Sequence, residues 1–200
     1  MTRFRPHLSR PWQQGLTMVE MMITLAIMAI LLAVAIPSFQ GLMASTRLTS
    51  LTNEFITALT QAKSDAIRRG ARVTICMSAN GNQCTNAGSW DQGWIIFTDT
   101  TRAGNVANVD AGETILHVYR GGQAGILIQG QAALPRYVSF SSDGQSRTLL
   151  GAVQAGTIEV CSTSTALADD ERARDLQINA SGQVVLTRPI GINNGCPPPP

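Results

Sequence analysis

Residues 15–36 of the chain read GLTMVEMMITLAIMAILLAVAI, and this apolar stretch decides how the rest is organised. The run from Leu16 to Ile36 contains one charged residue, Glu20, which lies near its start. As an α-helix the run would be roughly 31 Å long, enough to cross a bilayer core of about 30 Å. A carboxylate inside such a segment is costly, so it is a functional candidate by default. The sequence predicts a membrane helix that carries one functional charge.

The segment before this helix, residues 1–15, is polar and basic and is broken by two prolines. Because basic residues tend to stay in the cytoplasm, we expect a cytoplasmic N-terminus and a C-terminal part across the membrane. A secretory signal would instead have an apolar core of about 7–15 residues followed by a small-residue cleavage site. Ala33-Val34-Ala35 offers such a site, although the apolar run is too long. A signal-peptide-cleaved periplasmic protein is therefore the lowest-ranked alternative.

The charge balance argues against a broad nucleic-acid-binding surface. The full chain has 15 basic and 13 acidic residues, a net charge of +2. Without residues 1–15, which contain three arginines, 12 basic residues face 13 acidic ones, a net charge of −1. A nearly neutral chain has no broad positive footprint for nucleic acid, although a local patch is still open.

The apolar pattern continues beyond Pro37 at helical spacing. Apolar residues recur with gaps of three or four positions at Leu48, Leu51, Phe55, Leu59, Ala62 and Ala66. Pro37 removes one backbone donor, so we expect it to kink the helix without ending it. Arg68 and Arg69 followed by Gly70 are typical of a helix C-terminus. The pattern predicts one long helix from Leu16 to Arg69.

Beyond Gly70 the pattern changes to short runs rich in Val, Ile, Thr and aromatic residues, separated by glycine-containing turns. These runs predict eight strands, at Arg72–Met77, Gly93–Asp99, Thr114–Arg120, Ile126–Gln129, Tyr137–Ser141, Gly156–Cys161, Asp175–Asn179 and Val184–Arg188. The polar segment Ser162–Arg174 is expected to be a loop. Several strands after one long helix predict an α+β fold, with the helix stripe packed on a mainly antiparallel β-sheet.

The chain has four cysteines, Cys76, Cys84, Cys161 and Cys196. Four cysteines allow three pairings, and an exported domain favours disulfides over free thiols. We predict pairing of nearest neighbours, Cys76 with Cys84 and Cys161 with Cys196. None of them forms a C-x-x-C pair, so no metal site is expected.

The stretch from Gly15 to Glu20 resembles a motif of a known protein family. Gly15 followed by Leu16-Thr17-Met18-Val19-Glu20 resembles the processing site of type IV prepilins and type II secretion pseudopilins. The resemblance implies cleavage after Gly15 by a prepilin peptidase, N-methylation of Leu16, and an assembly role for Glu20. Phenylalanine is the commoner residue at the position of Leu16. Pro37 falls where the family's helix usually kinks.

A second resemblance covers part of the remainder. Residues 61–70 (QAKSDAIRRG), residues 73–76 (VTIC) with Cys84, and residues 90–97 (WDQGWIIF) are similar to the GspH/FimT branch. That branch contains type IV minor pilins and the minor pseudopilin of type II secretion, and both alternatives stay open, with the pilus slightly favoured. The resemblance implies as partners other major and minor pilins or pseudopilins and an inner-membrane assembly platform.

The two resemblances and the patterns divide the chain into four parts. Residues 1–15 would be a leader that is removed, and residues 16–36 the transmembrane half of the helix. Residues 37–70 would be its amphipathic half, and residues 71–200 a β-rich head with a proline-rich tail. We expect a single-pass inner-membrane protein with a periplasmic head that is incorporated into a pilus or pseudopilus.

Glu20 also has a physical role that does not depend on the family. After cleavage, Leu16 would start the helix with a free, positively charged amine. A lone carboxylate in lipid needs a partner, and the amine of a neighbouring subunit is the obvious one. Such a pair would draw the helices of adjacent subunits into register. The alternative is that Glu20 only extends to the membrane interface.

DNA uptake is an alternative function of a different class. It has to be considered because some FimT-like minor pilins, which this chain resembles, bind DNA through an arginine-bearing G-R-x-R stretch. The corresponding residues here, 182–185, read GQVV, so both arginines are absent. Arg172, Arg174 and Arg188 lie nearby and are the remaining candidates for DNA binding. Four acidic residues, at positions 169–171 and 175, surround the first two arginines, whereas phosphate contacts need uncompensated positive charge.

The sequence offers no enzymatic constellation, and we expect neither catalysis nor a cofactor. His117 lies in an alternating strand and has no recognisable catalytic partner along the chain. The glycine-rich stretch at residues 121–125 lacks the Lys and Ser/Thr of a phosphate-binding loop. Trp90 and Trp94 are expected to anchor the core or a loop.

Overall fold

The computed structural model describes residues 15–101, 104–131, 134 and 136–189, without the side chain of Pro37. The chain divides into two units between Phe39 and Gln40. The elements of the described part are α1 (Met18–Arg69), a 3-10 helix (Trp90–Gln92) and the strands β1 (Val73–Met77), β2 (Gly93–Thr98), β3 (Ile115–Arg120), β4 (Ile126–Gly130), β5 (Tyr137–Phe140), β6 (Gly156–Ser162), β7 (Ala173–Ile178) and β8 (Val184–Thr187). Each of the eight predicted strands is present.

The helix α1 ends where the sequence predicted. Gly70 has a φ of 61°, a left-handed conformation that glycine adopts without steric penalty. This turn lets the Gly70 N–H donate to the Ile67 carbonyl and the Ala71 N–H donate to the Ala66 carbonyl, both at 3.3 Å. The two bonds satisfy carbonyl groups that the helix end would leave unpaired, as in a Schellman motif.

The strands form two four-stranded antiparallel sheets, whereas the sequence had suggested one. The strand orders are β3-β2-β1-β5 and β4-β6-β7-β8. The predicted loop Ser162–Arg174 was wrong at both ends, because β6 includes Ser162 and β7 already begins at Ala173. Arg174 is a strand residue that pairs with Val160 of β6. The charges in this segment had obscured its β-pairing.

One hydrophobic cluster joins the helix to both sheets. The six predicted stripe residues of α1 are each no more than 2% exposed. In the same cluster they meet Ile75, Ile96 and Val138 of the first sheet and Val160 and Leu176 of the second. The amphipathic pattern of α1 therefore holds the two sheets in one core, and the predicted α+β fold is confirmed.

The two tryptophans Trp90 and Trp94 pack among other aromatic residues at the centre of this core. The ring of Phe55 from α1 meets Trp90 at 5.2 Å and Trp94 at 4.8 Å between ring centroids, both in edge-to-face geometry. Trp94 stacks on Tyr119 of β3 at 3.9 Å. As expected, both tryptophans anchor the core.

The outer edge of β5 is covered by a side chain. Gln154 is 1% exposed. Its Nε2 donates to the Tyr137 carbonyl at 3.1 Å, and its Oε1 accepts the Ser139 N–H at 3.0 Å. The Arg147 N–H donates to the Ser139 carbonyl at 3.0 Å. The side-chain amide thus takes the place that a peptide group of a further strand would occupy.

The predicted disulfide between Cys76 and Cys84 is confirmed. Cys76 lies in β1 and is buried, whereas Cys84 is half-buried in the loop that follows. The other predicted pair joins Cys161 to Cys196. Cys161 is 2% exposed and is not a free thiol. Cys196 lies outside the described residues, so this second pairing stays a prediction.

Breaking the first disulfide should destabilise the head without disturbing its core. Closing so short a loop restricts the unfolded chain, so we expect Cys84→Ala to lower the free energy of unfolding by about 2–3 kcal/mol. Urea denaturation followed by tryptophan fluorescence measures this loss. Asn82→Ala, at an exposed position in the same loop, should stay within about 0.5 kcal/mol of the wild type. Equal losses in the two variants would contradict the role of the disulfide.

Candidate functional site

The first candidate site is the surface of the N-terminal unit, which is apolar and exposed. Its large side chains are exposed throughout, from Leu16 at 69% to Val34 at 74% and Phe39 at 65%. By length and composition α1 is long and apolar enough to cross a membrane. An apolar surface of this extent marks contact with lipid or with other protein. The unit therefore has the surface of a membrane anchor that can also pack against other helices.

The first turn of α1 contains a capping arrangement that the sequence analysis missed. The Glu20 N–H donates to Oγ1 of Thr17 at 3.2 Å, and the Met21 N–H donates to the Thr17 carbonyl at 3.1 Å. Thr17 is thus the N-cap, and Glu20 occupies the third helical position. The Thr-x-x-Glu spacing of a capping box was the signal that could have revealed it.

The carboxylate of Glu20 is available for a partner outside the chain. The residue is exposed, and it takes part in none of the ion pairs found in the described ranges. It is also the only charged residue between positions 16 and 46. A carboxylate near a helix N-terminus is favoured by the positive end of the helix dipole. In lipid it would still need a cation, which this part of the chain does not supply.

Gly15 and Leu16, the predicted cleavage and methylation residues, lie immediately before α1 and are both exposed. A Cβ atom added to Gly15 would meet nothing within 4 Å. The fold therefore gives no steric reason for glycine at this position. The helix α1 is continuous through position 37. The side chain of Pro37 lies outside the described part, so the kink stays a prediction.

The three arginines considered for DNA binding do not form a basic patch. Arg172 is 1% exposed, with its Nε 3.1 Å from Oδ1 of Asp169. Arg174 is 8% exposed, and its Nη1 donates to the carbonyls of Glu171 and Ala173 at 2.8 and 2.7 Å. Burial lowers the pKa of Arg174, and the nearby charge of Arg188 lowers it further. Of the three, Arg188 alone is exposed.

This burial removes two guanidinium groups from reach of a phosphate backbone. Sequence reasoning placed them in a loop, where arginines are usually exposed. Arg174 lies in β7 and Arg172 immediately precedes this strand, which explains why both are buried and not exposed as in a loop. Contact with DNA needs several accessible positive charges, and this group supplies one.

His117 has neighbours that the sequence did not reveal. Its Nε2 lies 2.7 Å from Nε2 of Gln61 and 3.8 Å from the carboxylate of Asp65. Both neighbours are on α1, and Arg68 also bonds to Asp65. Within the described ranges no group of three or more His, Cys, Asp or Glu residues could hold a metal ion. The cluster ties β3 to α1 and contains no nucleophile.

Comparison with known families gives two matches. Residues 51–182, about two thirds of the chain, match the family described as type II transport protein GspH. Residues 13–36 match the prokaryotic N-terminal methylation motif. The second match covers Gly15, Leu16 and Glu20.

Individual relatives point the same way. Two proteins named fimbrial protein, both from Pseudomonas aeruginosa, are 41% identical to this chain over 61 residues. That match covers 30% of this chain and 39% of each relative, so the chain spans about two fifths of their length.

A solved structure shares the fold. The type IV minor pilin FimU of Pseudomonas aeruginosa (strain PAO1) matches with a TM-score of 0.53 and 17% identity, over 74% of this chain and 96% of FimU. At that identity the likeness shows the fold alone. The match over residues 51–182 and the methylation motif before it show the family. The chain belongs to the GspH family of minor pilins and pseudopilins.

Proposed function

We propose that this chain is a minor subunit of a membrane-anchored filament, made as a prepilin and cut after Gly15. Leu16 then becomes the N-methylated first residue, and Glu20 pairs with the N-terminal amine of a neighbouring subunit. The single observation that carries the proposal is the exposed apolar helix surface with one carboxylate in its first turn. A charge pair between subunits would satisfy that carboxylate in lipid and set the register of adjacent helices.

The proposed location of the protein in the cell follows from the same helix. A single span with a basic leader would leave the N-terminus in the cytoplasm and the head in the periplasm. Prepilin peptidase would process the chain there, and an inner-membrane platform would draw it into the filament. The β-rich head, residues 71–200, would present contacts to other subunits or a surface at the filament tip.

A type IV pilus is the first choice of filament, and a type II secretion pseudopilus is the second. The relatives named fimbrial protein favour the pilus. The description of the matched family favours secretion. Deletion of the gene in its own host separates the two: we expect loss of surface pili with normal secretion of exported enzymes. Loss of secretion with intact pili would reverse the order.

Processing is tested most directly at Gly15. Mass spectrometry of the membrane-extracted wild-type protein should give a chain that begins with N-methylated Leu16. Gly15→Val should retain the leader, because a branched side chain would obstruct the peptidase. Since a Cβ at Gly15 meets nothing in the fold, this variant should keep the wild-type unfolding curve.

Leu16→Phe is the matched control, because it places the family's commoner residue at the cut and should be processed normally. Full cleavage of Gly15→Val, or an unmethylated Leu16 in the wild type, would contradict the proposal. The same spectrum tests the secretory-signal alternative, in which a cut after Ala35 would remove Glu20. DNA uptake is not proposed, since Arg172 and Arg174 are buried.

A further inference from the structure

A polar groove opens in the head where the two sheets meet. It is formed by the loop residues 86–90, by Gln129 and Gly130 at the end of β4, and by Arg136 just before β5. Its volume is about 420 Å³. No residue of α1 is among the described residues that line it, so a ligand bound there would not depend on the proposed function.

The groove is lined by one cation and several uncharged polar side chains. Arg136 is exposed and is the only charged residue among the described residues that line it. Its guanidinium takes part in none of the ion pairs found in the described ranges. The side chains of Asn86, Ser89 and Gln129 can each donate a hydrogen bond, and no carboxylate is found among the described residues of the lining. A cation without a counter-charge, surrounded by donors, favours a negatively charged ligand.

Trp90 gives an independent observation in the same wall. The residue lines the groove and is fully buried, and its indole Nε1–H has no hydrogen-bond partner in the described part of the chain. A buried donor without an acceptor is unfavourable and rare in native proteins. An acceptor that enters the groove would relieve this cost.

We propose that the groove binds one small oxyanion, a carboxylate or a phosphate group, through the Arg136 guanidinium and the Trp90 Nε1–H. A planar guanidinium can hold two oxygens of such a group at once. The third and fourth contacts would come from the amides of Asn86 and Gln129. A nucleic-acid backbone is a poor candidate, because one accessible cation supports a single anion and not a chain of phosphates.

The indole resonance of Trp90 provides a direct test. The mature full-length protein, labelled with ¹⁵N-tryptophan, is held in maltoside micelles, which contain no phosphate. Trp90→Phe identifies the Trp90 resonance by its absence. Sodium phosphate and sodium acetate are then titrated separately against sodium chloride at equal ionic strength. We expect a saturable shift of the Trp90 Nε1–H with one or both anions, while Trp94 stays in place.

The charged contact is tested by Arg136→Gln, which should weaken binding about tenfold or more because it removes the only charge. Arg120→Gln removes an exposed arginine that does not line the groove and should bind as the wild type does. A response to acetate alone identifies a carboxylate ligand, and one to phosphate alone identifies a phosphate ligand. The proposal is overturned if neither anion shifts Trp90 beyond chloride, or if Arg136→Gln binds unchanged.

Discussion

Replacing Glu20 by glutamine should lower incorporation of the subunit into filaments about tenfold or more. Glutamine keeps the size of the side chain and removes its charge, so the attraction to a neighbouring N-terminal amine is lost. Removing one partner of a desolvated ion pair costs about 3–5 kcal/mol, and about 1.4 kcal/mol already corresponds to a factor of ten. The measurement is the ratio of this chain in sheared filaments to this chain in the membrane, by immunoblot.

Two controls separate assembly from folding and insertion. Glu20→Asp keeps the charge on a shorter side chain and should retain part of the incorporation. Glu20→Gln itself should keep the wild-type amount of processed protein in the membrane and the wild-type unfolding curve of the head, because Glu20 makes no ion pair within the described residues. Normal incorporation of Glu20→Gln would refute the proposed pairing.

The largest effect on stability is expected from Phe55→Ala. Phe55 is fully buried and contacts both Trp90 and Trp94, so its removal leaves a cavity between α1 and the core. Truncation of a buried phenylalanine costs about 3–5 kcal/mol, through lost transfer free energy and incomplete collapse of the cavity. Urea unfolding of the full chain in detergent, followed by the fluorescence of these tryptophans, measures the loss.

Phe39→Ala is the matched control for this experiment. It removes the same side chain from the same helix, at a position that is 65% exposed. A surface substitution of this kind should change the free energy of unfolding by no more than about 0.5 kcal/mol. If Phe55→Ala lost no more than Phe39→Ala, the aromatic cluster would not be the centre of the core.

Much of the fold could be predicted because local pattern and burial agree. The spacing of Leu48, Phe55 and Ala66 specifies one face of a helix, and all three lie in the core. Gly70 marks the end of that helix because its backbone adopts a left-handed conformation. The strands were found because short β-branched runs alternate with glycine turns. Each of these signals acts within a few residues along the chain.

The features that were missed depend on contacts between distant residues. Strand patterns carry no information on which strands share a sheet, so the division into two sheets was not foreseen. Arg172 is 1% exposed, and this burial could not be predicted from a segment rich in charged residues. Thr17 differs from these cases, since its spacing to Glu20 is local and was visible. The residues of the candidate site could be named from the sequence, whereas their exposure could be seen only in the structure.

The amide of Gln154 across the edge of β5 has a consequence for the proposed filament. A filament subunit is concentrated at the membrane, where exposed strand edges of neighbouring heads could join into continuous sheets and aggregate. Gln154 occupies the hydrogen-bonding groups of Tyr137 and Ser139 that such joining would require. In the proposed filament it would limit uncontrolled association of heads through this edge, so that contacts between helices could set the order of subunits.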